Sequence, residues 1–388
     1  MNKEYLTAEQ LMGFENYKYS CKDTNPLSIY VMHPFWDKVV EYCPRSIAPN
    51  LLTFVGFLFT LVTFFMFSYE DYEFYASAVE KPEVPLIPSW VFIVGAINIF
   101  LAYTLDGIDG KQARRTGTSS PLGELFDHGL DSYTAGLMPI TLFSIFGRGE
   151  KHSVNVFRMY YILWNVLVNF YIPHFEKYNT GILFLPWGYD YSMWTSIFML
   201  FFTGVFGQQM WQFTGPGGLN AGHLFEILIY VSSLSTTIPV AIFNIHKAYK
   251  NGYGPLHSFS EAARPSIPIF IFLILSIIWV QKSPSDILEK DPRAVYFLTS
   301  TIFSNICCRL IVAQMSNTRS EIFNSLLYPF GAAVLLSLLL KNDLVELAFV
   351  YGLCLITTLA HIHYGTCLVR QMCRHFRINC FTIRDHSE

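Results

Sequence analysis

The sequence predicts an all-α membrane protein of about ten transmembrane helices, and three observations carry that expectation. Of 388 residues, 52% are hydrophobic and only 14% are charged, whereas an average soluble domain is about 25% charged. Mean hydropathy is +0.34. Apolar stretches of about 20 residues, the length that crosses a bilayer core, recur from residue 49 onward. The 35 Phe and 23 Tyr are numerous enough to furnish aromatic belts at the membrane interfaces.

The stretches lie at 49–70, 89–110, 122–146, 154–175, 189–212, 223–245, 266–282, 294–315, 321–340 and 344–367. The third carries charge, and the last two are divided only by Lys341-Asn342-Asp343. Met1 to Ala48 is polar and mixed, without a cleavable signal sequence, so the first apolar segment reads as a signal anchor. No internal repeat or low-complexity tract is evident. A net charge of −3 offers no basic excess, so no nucleic-acid partner is expected. The eight cysteines (Cys21, Cys43, Cys307, Cys308, Cys354, Cys367, Cys373 and Cys380) lack CxxC spacing and mostly fall in or beside apolar segments. They read as packing residues rather than disulfides or a zinc site.

Lys and Arg set the expected orientation. With the N-terminus in the cytosol, 17 of the 26 fall on the cytosolic side and 7 on the other, with Arg158 and Arg309 inside helices. Both termini, and a loop at Lys111 to Arg115, are therefore expected in the cytosol. Between Pro26 and Cys43, the residues Phe35, Trp36, Val39 and Val40 are spaced like one face of a short helix, with Pro34 suited to its first turn. That helix either lies on the cytosolic leaflet or packs on neighbouring loops.

Residues 106–131 read DGIDGKQARRTGTSSPLGELFDHGLD. Asp106 and Asp109 end the second apolar helix at i, i+3; Asp127 and Asp131 sit early in the third at i, i+4. Each pair shares a helix face, with side chains about 5–6 Å apart. The polar link, rich in Ser and Thr with Pro121, folds the two helices into an antiparallel hairpin, so the four carboxylates converge. An Asp deep in a membrane helix costs roughly 2.5–3.5 kcal/mol, and four together also repel. Hard oxygen ligands in such a cluster suit Mg²⁺ or Mn²⁺, and two metals would clamp the oxygens of a phosphoryl displacement. Gly107, Gly110 and Gly123 leave room for a ligand or a backbone to approach.

This stretch resembles the CDP-alcohol phosphotransferase signature DxxDGxxARx8GxxxDxxxD at every fixed position: Asp106, Asp109, Gly110, Ala113, Arg114, Gly123, Asp127 and Asp131. The resemblance implies a six-helix catalytic core at 48–246 with a metal site opening to the cytosol. Residues 1–47 would then precede the core, four further helices at 247–370 would support a homodimer or shape lipid entry, and 371–388 would be a cytosolic tail. All four aspartates would bind metal, while Gly107, Gly110, Ala113 and Arg114 would lie along the nucleotide. Segments such as TNPLSIYVMHPFW, APNLLTFVGF, EKYNTGILFLPWGYD, SPSDILE and LAHIHYG resemble the animal ethanolaminephosphotransferases over nearly the whole chain. The likeness leans to their selenoprotein type rather than to the choline-handling relatives. This sequence stops at Glu388, after Asp385-His386-Ser387, without a selenocysteine extension, so no role of that tail is carried over.

The resemblance further implies that the 3-hydroxyl of diacylglycerol, entering from the bilayer, attacks the phosphorus of CDP-ethanolamine and releases CMP. The compartment it implies is endoplasmic reticulum or Golgi. A general base must take the hydroxyl proton; His128 and Asp131 are the candidates, and His has the better intrinsic pKa. His128 has a packing role as its alternative. Asn50, in PNLLT, either contacts the nucleotide or caps the first apolar helix. Glu124 adjoins the site. His223 and Glu226 line a lipid cavity or mark its boundary, and His361 and His363, at i, i+2, point apart and do not suit a metal. A choline or dual-specificity enzyme and a CDP-diacylglycerol-using enzyme are rivals within the class. An ion transporter is the rival outside it, and would place carboxylates near mid-membrane in both halves.

Overall fold

The computed structural model describes residues 3–383; Asp385, His386 and Ser387 of the tail lie outside them. Helix α1 (Ala8–Glu15) opens on a capping box between Thr7 and Gln10. After strand β1 (Cys21–Lys22) and a π turn at Ser28–Met32, α2 (His33–Tyr42) begins with Pro34 in its first turn. There follow α3 (Pro49–Glu70), α4 (Ser89–Thr116), α5 (Pro121–Phe146), α6 (Val156–Thr180) and α7 (Gly188–Phe206). Between α6 and α7, β2 (Leu183–Phe184) pairs in parallel with β1. A π turn joins α8 (Ala221–Ser232) to α9 (Ile238–Asn251), and α10 (Phe259–Ala263) follows. The rest is α11 (Ser266–Lys282), α12 (Ile287–Lys290), α13 (Pro292–Ser316), α14 (Leu327–Leu340) and α15 (Asp343–Phe376).

The chain is mostly helical, and each expected apolar stretch coincides with one of these helices or, at 223–245, with the joined pair. By length and composition, α3, α4, the run Ala221–Asn251, α13 and α15 are able to cross a membrane, while α11 and α14 are shorter apolar helices. Two expected boundaries move. The stretch 189–212 breaks at Gly207, whose φ of 83° ends α7, and the chain continues as a 3₁₀ turn at Gln208–Trp211. The stretch 321–340 becomes helical only at Leu327, because Asn324 turns the preceding polar segment by accepting from the Leu326 amide at 2.8 Å.

A third difference bears on function. Lys111 to Arg115 is not a loop: α4 runs on to Thr116, as its Gln, Ala and Arg favour. Arg114 and Arg115 sit in its last turn, where cations suit the helix dipole. Gly117, at φ 70°, provides the left-handed cap that stops it. Residues 117–120 then reverse the chain, and Ser120, accepting from the Gly123 amide, caps α5 ahead of Pro121.

The hairpin packs into two cores, and α5 contributes to both, its Met138, Leu142, Ile145 and Phe146 being buried in the same core as α4. Phe92, Ala96, Ile99, Tyr103 and Ile108 of α4 are buried with residues of α2, α3 and α7. Leu122, Leu125, Tyr133 and Leu137 of α5 are buried with residues of α6, α11 and α13. Among the candidate spans α13 is the most enclosed, with 89% of its apolar window buried, and it packs along α5 and α6. The acidic end of the hairpin lies where the two cores adjoin, Ile108 being buried in one and Leu125 in the other. All eight cysteines are free.

Candidate active site

The hairpin brings Asp106 and Asp109 of α4 to Asp127 of α5, with one carboxylate oxygen from each inside a mutual distance of 4.8 Å. Asp131 is not part of that group. It lies one turn further along α5, on the wall of a narrow cleft that Asp106 also lines. The cleft continues between Thr53, Gly56, Phe57 and Thr60 of α3, Tyr103 of α4, Leu130 and Thr134 of α5, and Tyr189 and Met193 of α7. It is polar at the aspartates and mainly apolar beyond them.

Neighbouring hydroxyls hold two of the carboxylates. Thr53 donates to Asp109 Oδ2 at 2.5 Å, and Tyr189 donates to Asp106 Oδ2 at 2.8 Å. Tyr103 stands edge-on to Tyr189, with ring centroids 5.9 Å apart, and donates to Asp190. Asn25 also donates to Asp190, at 2.6 Å. Asp127 Oδ1 is buried and has no hydrogen-bond partner. Among the described residues no Lys or Arg forms an ion pair with any of the four aspartates. Two carboxylates at such a separation repel by roughly 3–4 kcal/mol at an effective dielectric near 20. Three converging carboxylates with an orphaned oxygen are a donor set that fits a hard divalent cation.

His128 lies beside this group. Its Nε2 is 3.9 Å from Asp127 Oδ2, and its Nδ1 faces Glu124 Oε1 at 3.8 Å. Glu124 in turn accepts from Tyr17 at 2.6 and 2.8 Å and pairs with Lys177, whose Nζ is also 2.6 Å from the Tyr17 hydroxyl. Burial, with Glu124 beside it, pushes the Tyr17 hydroxyl far above its usual range, so it remains a donor. Lys177, counted among cytosolic loop charges, is instead a buried cation in the last turn of α6. Its carboxylate partner is what permits that burial.

The other predicted residues fall as follows. Ala113 and Arg114 lie on the last two turns of α4, with Arg114 Nη1 3.6 Å from where a Gly110 Cβ would stand. Gly123 faces Asn50, whose Oδ1 is 3.5 Å from the corresponding Cβ position. Asn50 is not a helix cap: the α3 N-cap is Ala48, and Asn50 sits inside the first turn with its side chain turned toward α5. Gly107 faces away from the aspartates, since a Cβ there would lie 2.1 Å from the Trp36 ring. That contact, with Tyr103 edge-on to Trp36 at 5.3 Å, docks α2 on α4. Gln112 and Arg115 extend the docking by donating to the carbonyls of Pro44, Ile47, Val40 and Cys43. The apolar side of α2 is thus packed, although Tyr30, Val31 and Tyr42 around it stay exposed.

Gly107→Ala is accordingly expected to overpack this contact and destabilise the fold by about 1–3 kcal/mol. The unfolding midpoint should fall, and Gly107→Ala with Trp36→Leu should restore most of it. A midpoint left unchanged by Gly107→Ala would remove the packing role.

His223 and Glu226 both contact Arg158, which explains how an arginine inside α6 is tolerated. His361 lies within 3.4 Å of Ser304 and Asn305, whereas His363 meets the Tyr5 hydroxyl at 3.0 Å, so the two histidines do diverge. Thr53, Tyr189, Tyr17 and Lys177 are site residues that motif reading missed. The sequence signal for them was a hydroxyl one turn from Asn50, and polar residues inside EKYNT and PWGYD.

Residues 46–211, which contain the whole hairpin, match the CDP-alcohol phosphatidyltransferase family. The chain is 49% identical to Ethanolaminephosphotransferase 1 of Homo sapiens, over 98% of this chain and 95% of the relative. It is 47% identical to the protein of that name from Mus musculus, with the same coverage. It is 29% identical to Choline/ethanolaminephosphotransferase 1 of Arabidopsis thaliana, over 98% of each chain. Likeness at that level over nearly the full length, together with aspartates converging inside the matched region, means that the chain belongs to the CDP-alcohol phosphotransferase family.

Proposed function

We propose that the protein is an ethanolaminephosphotransferase, moving phosphoethanolamine from CDP-ethanolamine to diacylglycerol and giving phosphatidylethanolamine and CMP. The observation that carries this reading is the convergence of Asp106, Asp109 and Asp127, with Asp106 and Asp131 also lining the polar end of a cleft whose far walls are mainly apolar. Such a cleft suits a phosphorylated nucleotide at one end and a lipid alcohol at the other.

Members of the family are in general dependent on divalent metal. Mg²⁺ or Mn²⁺ at a two-metal site would be held by Asp106, Asp109 and Asp127, with Asp131 adjoining, and when bound would offset charge on the phosphate oxygens. Thr53 and Tyr189 hold Asp109 and Asp106 in place, so the carboxylates need not reorient during turnover. Arg114, Gly110, Ala113, Asn50 and Gly123 form the cytosolic rim on which the nucleotide rests. The apolar walls around Gly56, Phe57 and Thr60 receive the glycerol and acyl chains. His128 takes the hydroxyl proton at Nε2, with Glu124, anchored by Lys177 and Tyr17, 3.8 Å from its Nδ1. Asp131 is the weaker candidate because it belongs to the carboxylate set.

The same reading has all ten stretches in the membrane, both termini and the aspartates toward the cytosol, and a homodimer in the endoplasmic reticulum or Golgi. The excess of Lys and Arg on the cytosolic side supports the orientation, even with the buried Lys177 set aside.

The deciding measurement supplies purified protein with diacylglycerol, Mg²⁺ or Mn²⁺, and either CDP-ethanolamine or CDP-choline. CMP release with CDP-ethanolamine, at a kcat/KM about 10-fold or more above the choline donor, is expected; that preference corresponds to about 1.4 kcal/mol. Release with neither donor overturns the enzyme reading, and equal rates remove the ethanolamine assignment.

A further inference from the structure

After α15 the chain turns back at Arg377, which adopts a left-handed conformation at φ 54°, and Ile378 donates to the Cys373 carbonyl at 3.1 Å. The next residues do not leave the molecule. Thr382 pairs with Ile47 in an antiparallel bridge immediately before α3. Phe381 packs against Phe54 of α3 and Phe126 of α5, with ring centroids 5.5 and 5.7 Å away. Cys380 Sγ lies 3.8 Å from Asn50 Nδ2. We propose that the segment Ile378–Thr382 is a clasp across the cytosolic mouth of the active site, and that Phe381 positions the α3–α5 rim for the nucleotide.

The residues under the clasp make this more than a tail lying on a surface. Phe126 directly precedes Asp127, and Phe54 directly follows Thr53, the hydroxyl that holds Asp109. Asn50 stands between the clasp and Gly123. One aromatic side chain thus bridges α5, which carries Asp127, and α3, whose Thr53 holds Asp109, and it reinforces the direct contact of Phe54 with Phe126 at 6.4 Å. Aromatic pairs of this geometry add about 0.5–1.5 kcal/mol each beyond the area they bury. The lipid part of the cleft is remote from the clasp. From Asn50, beside the clasp, to Thr60, on the cleft wall, is ten residues of helix, or about 15 Å. Loosening the clasp should therefore weaken nucleotide binding while sparing the lipid substrate.

This inference rests on the reading of the site as a CDP-alcohol site, and its test separates the two. In the full chain, Phe381→Ala is expected to raise KM for CDP-ethanolamine about 10-fold, with KM for diacylglycerol and kcat changed less than about twofold. Direct binding of CMP, which needs no turnover, should weaken by the same factor. Phe381→Tyr, which keeps the ring, should restore both values. An unchanged KM and CMP affinity would overturn the clasp, as would a parallel loss in kcat and both KM values, which is what general destabilisation produces. Failure of the unaltered protein to turn over or to bind CMP would instead overturn the underlying functional reading.

Discussion

Asp127→Ala is expected to eliminate CMP release, by a factor on the order of 10³ or more, while the protein stays folded. The two halves of this expectation come from one atom. Asp127 Oδ1 is buried without a hydrogen-bond partner, so the alanine leaves no protein donor orphaned. It also relieves repulsion among carboxylates that lie within 4.8 Å. In metal-free buffer the unfolding midpoint of the variant should therefore equal or exceed that of the parent, as happens when a site strained for function is relaxed. With Mg²⁺ or Mn²⁺ present the order should reverse, because only the parent gains stability from binding. Thermal unfolding with and without chelator, beside a CMP-release assay, checks both halves. Activity near that of the parent would remove Asp127 from the site. Loss of activity together with collapse of the fold in chelator would make it a structural residue.

The contrast between Asp127 and Asp131 shows what a sequence pattern can carry. Spacing of i, i+4 places both on one face of α5, and the structure keeps them there. The same spacing also separates them by about 6 Å along the helix axis, so three of the four aspartates converge while Asp131 meets the cleft one turn away. The helices and the hairpin were legible because apolar runs and a polar link with Pro121 are local signals, whereas the polar end of α4 up to its Gly117 stop reads as a loop in the sequence. Gly107 reads as room for a ligand or a backbone, since a glycine reports only that something approaches; what approaches on its Cα face is Trp36, from more than 70 residues away. Tyr17, Thr53, Lys177, Tyr189 and Phe381 were invisible for the same reason. Each meets the hairpin through a side chain from elsewhere in the chain, and the segments around Thr53, Lys177 and Tyr189 say nothing of which hairpin residue they meet.

Lys177→Met is expected to destabilise the protein by about 3–5 kcal/mol, the usual consequence of stripping one partner from a buried ion pair. The Lys177 and Glu124 side chains are 2% and 9% exposed. Without the cation, Glu124 would keep only the Tyr17 hydroxyl, and its charge would sit unneutralised next to His128 and one turn before Asp127. Glu124→Gln combined with Lys177→Met should recover most of the lost stability, since neutral side chains of similar size carry no such desolvation cost. Unfolding midpoints of the two single variants and the double supply the coupling directly. Additive effects, or a Lys177→Met variant within about 1 kcal/mol of the parent, would dissolve the claimed pair. The double variant also isolates chemistry from folding. If Glu124 orients His128 through its charge, the restored fold should still show kcat lowered by about 10-fold or more with little change in KM. A double variant with both stability and kcat restored would leave Lys177 and Glu124 as an internal brace between α5 and α6, and the proton would have to leave the lipid hydroxyl without their help.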